Sequence, residues 1–114
     1  MRHDLHMRLG KAIAQGAHAA IMFLIDRLKQ RPCTFEESEW IWMTQAMTKI
    51  CVRVDSEEEL LEVIEKARAA GLTVHGVTDS GRTEFRGVPT LTCCAIGPNE
   101  AEKIDAVTGH LKLL

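Results

Sequence analysis

SEEELLEVIEKARAAGLTVHGV, residues 56–77, reads as a helix that turns directly into a strand. Leu60, Leu61, Val63, Ile64 and Ala67 recur at helical spacing and make one apolar face. Ser56 with Glu59 forms a capping box at its start, and Gly71 suits the left-handed position just past its end. LTVHGV, residues 72–77, is the following strand. Upstream, TKICVRV (48–54) alternates, with Ile50, Val52 and Val54 on one side and Lys49, Cys51 and Arg53 on the other. The period of two predicts a second strand, stopped by Asp55 and Ser56. Strands separated by a helix argue for a layered α/β domain. Downstream, TDSGRTEFRGVP (78–89) is a loop and TLTCCAI (90–96) a strand. Those last two strands pair antiparallel across the loop, so the sheet is mixed. GPNEAEKIDAVTGH supplies a short closing helix capped by Asn99 with Glu102, and HLKLL trails behind it.

Toward the N-terminus, a long helix is expected from Leu9 or Gly10 to about Gln30. LGKAIAQGAHAA (9–20) is small and apolar apart from Lys11, Gln15 and His18. These stand at i, i+4 and i+7 and form one polar stripe, either a solvated face or one wall of a site. IMFLIDRL carries the apolar face onward, and Arg27, Lys29 and Arg31 gather where the helix dipole favours cations. Pro32 ends the helix. Thr34 with Glu37 makes a capping box for a shorter helix bearing Trp40, Ile41 and Trp42. No repeat, linker or low-complexity segment interrupts residues 1–114, which read as a single domain.

The 114 residues carry a formal charge of −2, which does not mark a nucleic-acid binder. The charge is unevenly spread. Residues 1–53 hold eight Lys and Arg against five Asp and Glu, and residues 54–114 hold six against eleven. A basic patch can therefore coexist with an acidic total, although Glu57, Glu58, Glu59, Glu62 and Glu65 read as one solvated helix face. Cys33, Cys51, Cys93 and Cys94 lack metal or disulfide spacing and are expected as free thiols in or near the core. Cys93 and Cys94, adjacent on a strand, should face opposite sides. No apolar run approaches the roughly 18 residues of a membrane span, and MRHDLHMRLG has no secretory apolar region. A cytoplasmic protein is expected.

The loop TDSGRTEFRG brings Asp79, Ser80, Gly81, Arg82 and Thr83 together, and loops at strand ends carry function in α/β folds. Asp-Ser-Gly is also good turn chemistry by itself. Ser80 fits no nucleophile elbow or triad signature.

Taken in order, GKAIAQGAHAA, KICVRV, SEEELLE, AGLTVHGVTDSGRTEF, CAIGP and VTGHLKLL resemble the type II peptidyl-tRNA hydrolase family, from Asp4-Leu5 to Leu114. The resemblance implies a three-layer α/β/α domain with a mixed, about four-stranded sheet flanked by helices. It also implies a homodimer, no metal or organic cofactor, and cleavage of the ester joining a peptide to the 3′-terminal ribose of tRNA, which recycles tRNA. The family's functional lysine, aspartate and threonine map to Lys11, Asp79 and Thr83; Gln15 and His18 match its helix motif and are expected, with Arg8, Lys49, Arg82 and Arg86, on the substrate-binding side. Ester hydrolysis needs an activated water and a stabilised oxyanion. Asp79 fits as the base or as the group that orients the water, with Thr83 positioning that water. Lys11 has three open roles: stabilising the oxyanion, binding a phosphate, or pairing with Asp79. His18 stands roughly 10 Å further along the helix and reads as structural. Arg8, Lys11, Lys49, Arg82 and Arg86 are the expected phosphate-contacting surface, nearly blind to sequence. Trp40 and Trp42 read as packing rather than as a platform for the terminal adenine.

Two departures accompany the resemblance. Family members usually begin with an apolar strand before Asp-Leu, and here only Met1, Arg2 and His3 precede Asp4. That strand is expected to be missing or reduced to a stub, leaving its neighbours with unpaired backbone groups. Ala46-Met47 stands where the family usually has Gly-Gln. The leading reading is a peptidyl-tRNA hydrolase. Its alternatives are a catalytically inactive relative acting as a tRNA- or partner-binding module, and a hydrolase of another acyl or amide substrate.

Overall fold

The computed structural model describes all of residues 1–114. Four helices are present: α1 Leu9–Lys29, α2 Glu37–Thr44, α3 Glu57–Ala69 and α4 Ala101–Thr108. Two strands, β1 Val74–Asp79 and β2 Thr90–Ile96, form the regular antiparallel sheet.

The helix that follows Ser56 forms, with two departures from its sequence reading: the Glu59 carboxylate accepts from the Asp55 amide rather than that of Ser56, and Leu61 is exposed. The Ser56 hydroxyl accepts from the Glu59 amide, and Gly71 takes a positive φ beyond the C-cap. Leu60, Val63, Ile64 and Ala67 turn inward and join Val54, Leu72 and Val107 in the larger core. Burying each Leu or Ile there contributes roughly 1.5–3 kcal/mol. A smaller cluster of Ala19, Val77 and Cys93 lies beneath α1. Strand alternation explains the division. Val77 pairs with Cys93 and both meet α1, whereas the next pair, Gly76 and Cys94, belongs to the side on which Ile64 of α3 packs. Cys93 and Cys94 do face opposite sides, but Cys33 and Cys51 are exposed rather than in the core.

The segment 48–54 does not form a continuous strand. Lys49 curls back so that its ammonium donates to the Met47 carbonyl and lies 4.7 Å from the Trp42 ring centre, and only Val52 and Val54 make bridges. Met1–His3 is the stub expected, and it pairs with its neighbours at a few backbone groups. The Met1 ammonium donates to Val52 O, the Val54 amide to Met1 O, the His3 amide to Val54 O and the Arg2 amide to Thr92 O. Arg2 thus bridges Val54 in parallel, and Val52 bridges Leu113 antiparallel.

Two caps differ from expectation. The box at α2 is made by Glu36 and Glu39, not by Thr34 and Glu37. The Asn99 side chain caps no helix and instead accepts from the Thr73 amide, tying the start of β1 to the loop before α4. Trp42 packs edge-on against Phe23 and donates to Thr48 O, whereas Trp40 is largely exposed.

Candidate active site

The first turn of α1 and the end of β1 meet at a carboxylate. Lys11 Nζ lies 2.6 Å from Asp79 Oδ1 and 3.1 Å from Thr83 Oγ1. One turn on, Gln15 Nε2 donates to the same Oδ1 at 3.3 Å. The Gly81 amide donates to Asp79 Oδ2 at 2.9 Å, so both carboxylate oxygens are held. The i, i+4 spacing of Lys11 and Gln15 is what lets two consecutive turns grip one acceptor.

Gly81 is required by this geometry. Its φ is +79°, and a Cβ there would stand 2.3 Å from the Val88 carbonyl oxygen. The turn is closed by the Gly87 amide donating to Gly81 O, with Phe85 and Arg86 also at positive φ. The loop is a turn, and that turn aims an N–H at the carboxylate.

Electrostatics follow from these contacts. Hydrogen bonding from the Lys11 ammonium, foremost, and then from the Gly81 amide holds the Asp79 carboxyl below its usual range. It stays ionised throughout the neutral range. The Lys11 and Asp79 side chains are each largely covered, at 15% and 11% exposed. Thr83 is exposed, so the cluster has a covered base and an open rim.

Gln15 is buried, and behind it stands Thr92, with no exposed surface at all. Thr92 Oγ1 lies 2.5 Å from Gln15 Oε1 and 3.2 Å from Val77 O. Sequence reading missed Thr92. Between Val77 and Thr78 the β1–β2 register slips, so that Val77 pairs with Cys93 and Thr78 with Leu91. Thr92 is the extra residue of this bulge, a displacement invisible to a simple alternation.

The other sequence-stated residues are scattered around this centre. Arg8 reaches Glu84, with Nε 2.8 Å from Oε1, and itself remains mostly in solvent. Arg82 and Arg86 are exposed on the site loop. His18, exposed on α1, and Lys49, engaged with Met47 and Trp42, make no contact with the Lys11 cluster. Two concavities, of about 320 and 280 Å³, are lined chiefly by the N-terminal residues and by the C-terminal half of α1. The Lys11–Asp79–Thr83 cluster lines neither of them.

The family model described as Peptidyl-tRNA hydrolase PTH2 matches residues 1–114. A peptidyl-tRNA hydrolase of Methanocaldococcus jannaschii is 43% identical over 114 residues, covering 100% of this chain and 95% of that protein. One from Sulfolobus acidocaldarius is 40% identical over 116 residues, with 100% and 95% covered. One from Thermococcus onnurineus is 36% identical over 118 residues, with 100% and 92% covered. At that extent of similarity, the chain belongs to the peptidyl-tRNA hydrolase PTH2 family.

Proposed function

We propose that this chain hydrolyses the ester between a peptide and the 3′-terminal ribose of tRNA, with Lys11, Asp79 and Thr83 carrying the reaction. The observation that supports this most is a single ammonium within 3.1 Å of both a carboxylate and an exposed hydroxyl oxygen. Water attacks the ester carbonyl carbon as Asp79 takes its proton. Negative charge then develops on the former carbonyl oxygen, beside Lys11. Collapse breaks the bond to the ribose O3′, which receives the proton back from Asp79, giving free tRNA and a peptide carboxylic acid that loses its remaining proton to solvent. Thr83 Oγ1 accepts from Lys11, which leaves its own proton to donate to an incoming oxygen. Gln15 acts on Asp79 rather than on substrate. Arg8, Lys49, Arg82 and Arg86 are the phosphate contacts, and His18 is a further exposed substrate contact.

The test is release of free tRNA from purified peptidyl-tRNA. Turnover is expected. If those four cations contact phosphates, raising salt from about 50 to 200 mM weakens substrate binding about 50-fold or more. A folded chain that releases no tRNA refutes the hydrolase reading and favours a binding module.

The finer architecture belongs to the same reading. The parallel bridge from Arg2 to Val54 and the antiparallel bridge from Val52 to Leu113 support a mixed sheet of about four strands, with α1 on one side and α3 on the other as a three-layer sandwich. A homodimer is supported by the outer face of α1, where Leu9, Ile13, Ile21 and Leu28 are each at least half exposed. Two copies would cover that stripe isologously. Sedimentation is expected to give a dimer for the parent and a monomer for Ile13→Asp with Ile21→Asp. A monomeric parent would remove the dimer from this account.

A further inference from the structure

We propose that Thr92 is a positioning residue for this reaction, its buried hydroxyl donating to Gln15 Oε1 and so fixing the Gln15 amide with its NH2 group toward Asp79. The inference rests on the hydrolase reading for its consequence, though not for its geometry.

The argument is one of forced donors. Asp79 is ionised, so its Oδ1 accepts only, and Gln15 must present N–H rather than C=O to it. That choice turns Gln15 Oε1 to the other side, where Thr92 Oγ1 waits at 2.5 Å. Two oxygens at that separation need one proton between them, and only the Thr92 hydroxyl has one to give. Val77 O, at 3.2 Å, is the competing acceptor, and the shorter contact wins. Gln15 is 3% exposed and Thr92 0%, so no water replaces the bond if it is lost.

The bulge in β2 explains why this residue is available. In a regular strand Thr92 and Cys93 would face opposite sides. Here both reach Gln15: the Thr92 hydroxyl meets its side chain, and the Cys93 thiol donates to its backbone carbonyl at 3.5 Å. Bulges beside functional sites commonly re-aim a side chain in this way. The Arg2 amide donates to Thr92 O, which anchors the bulged residue from the neighbouring segment. A path of hydrogen bonds therefore runs from the sheet interior through Thr92 and Gln15 to Asp79.

Two variants of the full chain test it. Thr92→Val keeps the shape and removes the donor, whereas Thr92→Ser keeps the donor. In the first, kcat on peptidyl-tRNA is expected to fall about ten-fold or more with KM nearly unchanged, because a misplaced reacting group costs rate rather than binding. In the second, activity stays close to the parent. The readout that separates positioning from mere packing is the titration of the Asp79 carboxyl carbon by NMR. It is expected to move upward in Thr92→Val and to stay in place in Thr92→Ser. An unmoved Asp79 titration in a folded Thr92→Val, or a Thr92→Ser variant as impaired as Thr92→Val, overturns the inference. An inactive parent whose Asp79 titration still responds to Thr92→Val would refute the hydrolase reading while leaving the positioning role supported.

Discussion

Asp79→Asn is expected to lower kcat on peptidyl-tRNA by about 10²- to 10⁴-fold, the contribution of a positioned general base. The amide has nearly the same shape as the carboxylate, so cooperative thermal unfolding that is retained, though at a lower midpoint, would confirm that chemistry was lost and not the fold. Lys11→Ala then distinguishes the roles open to the lysine. Removing the ammonium takes away the foremost cause of the depressed Asp79 pKa, which rises toward the ordinary 3.8. At neutral pH the carboxylate is still ionised in parent and variant alike, and it has become the stronger base. Were Lys11 only a partner for Asp79, kcat would hold or increase. Stabilisation of the oxyanion instead predicts a loss of about 10²- to 10³-fold, which is the expected result.

The pH profile provides the sign. A carboxyl whose folded pKa is lowered contributes stability that is present above its unfolded pKa and is lost as pH falls through the folded value. The parent's kcat/KM is accordingly expected to show no limb from Asp79 between about pH 5 and pH 8, since the group titrates below that window. In Lys11→Ala the acid limb moves upward. A parent limb near neutrality that disappears in Asp79→Asn would show that the carboxyl is not held low, and the ion pair would lose its place in the mechanism.

How much of this was legible in the sequence depends on whether a feature is local. The helix after Ser56 was readable because its cap, apolar period and terminal Gly71 agree over one short segment. Lys11 and Gln15 were readable as a stripe because helical spacing is fixed, and Asp79 lies where that stripe points. His18 shares the stripe but has nothing to meet, because the loop ends opposite the first two turns. Residues 48–51 show the limit of alternation. A strand needs a partner along its length, and there Lys49 turns back to Trp42 instead. Thr92 was hidden for a related reason: the bulge that turns it toward α1 is a property of two paired strands and leaves no mark in TLTCCAI alone.

The attachment of α2 was equally illegible, and it sets up the largest structural effect expected. Glu39 has no exposed surface, and Arg27 of α1 grips it through Nε and Nη2 at 2.8–3.1 Å. The same carboxylate accepts from the Glu36 amide, so one buried charge both caps α2 and binds it to α1. In Arg27→Ala that charge keeps its burial and loses its counter-ion, which costs about 3–5 kcal/mol. Where the cost falls follows from the packing. Glu39 is the only buried residue of α2, with the Phe23–Trp42 edge contact beside it, while the main core lies under α3 and α4. The helix should therefore detach without unfolding the domain. Amide exchange in residues 40–44 is expected to accelerate by about 10²-fold or more, with Leu60–Ala67 keeping its protection. Equal acceleration in both segments would show that α2 is part of the global folding unit. Replacing both partners, Arg27→Met with Glu39→Leu, removes the unpaired charge along with the bond and is expected to restore most of the protection in α2. The double variant separates the worth of the ion pair from the penalty of breaking it, and the penalty is the larger of the two.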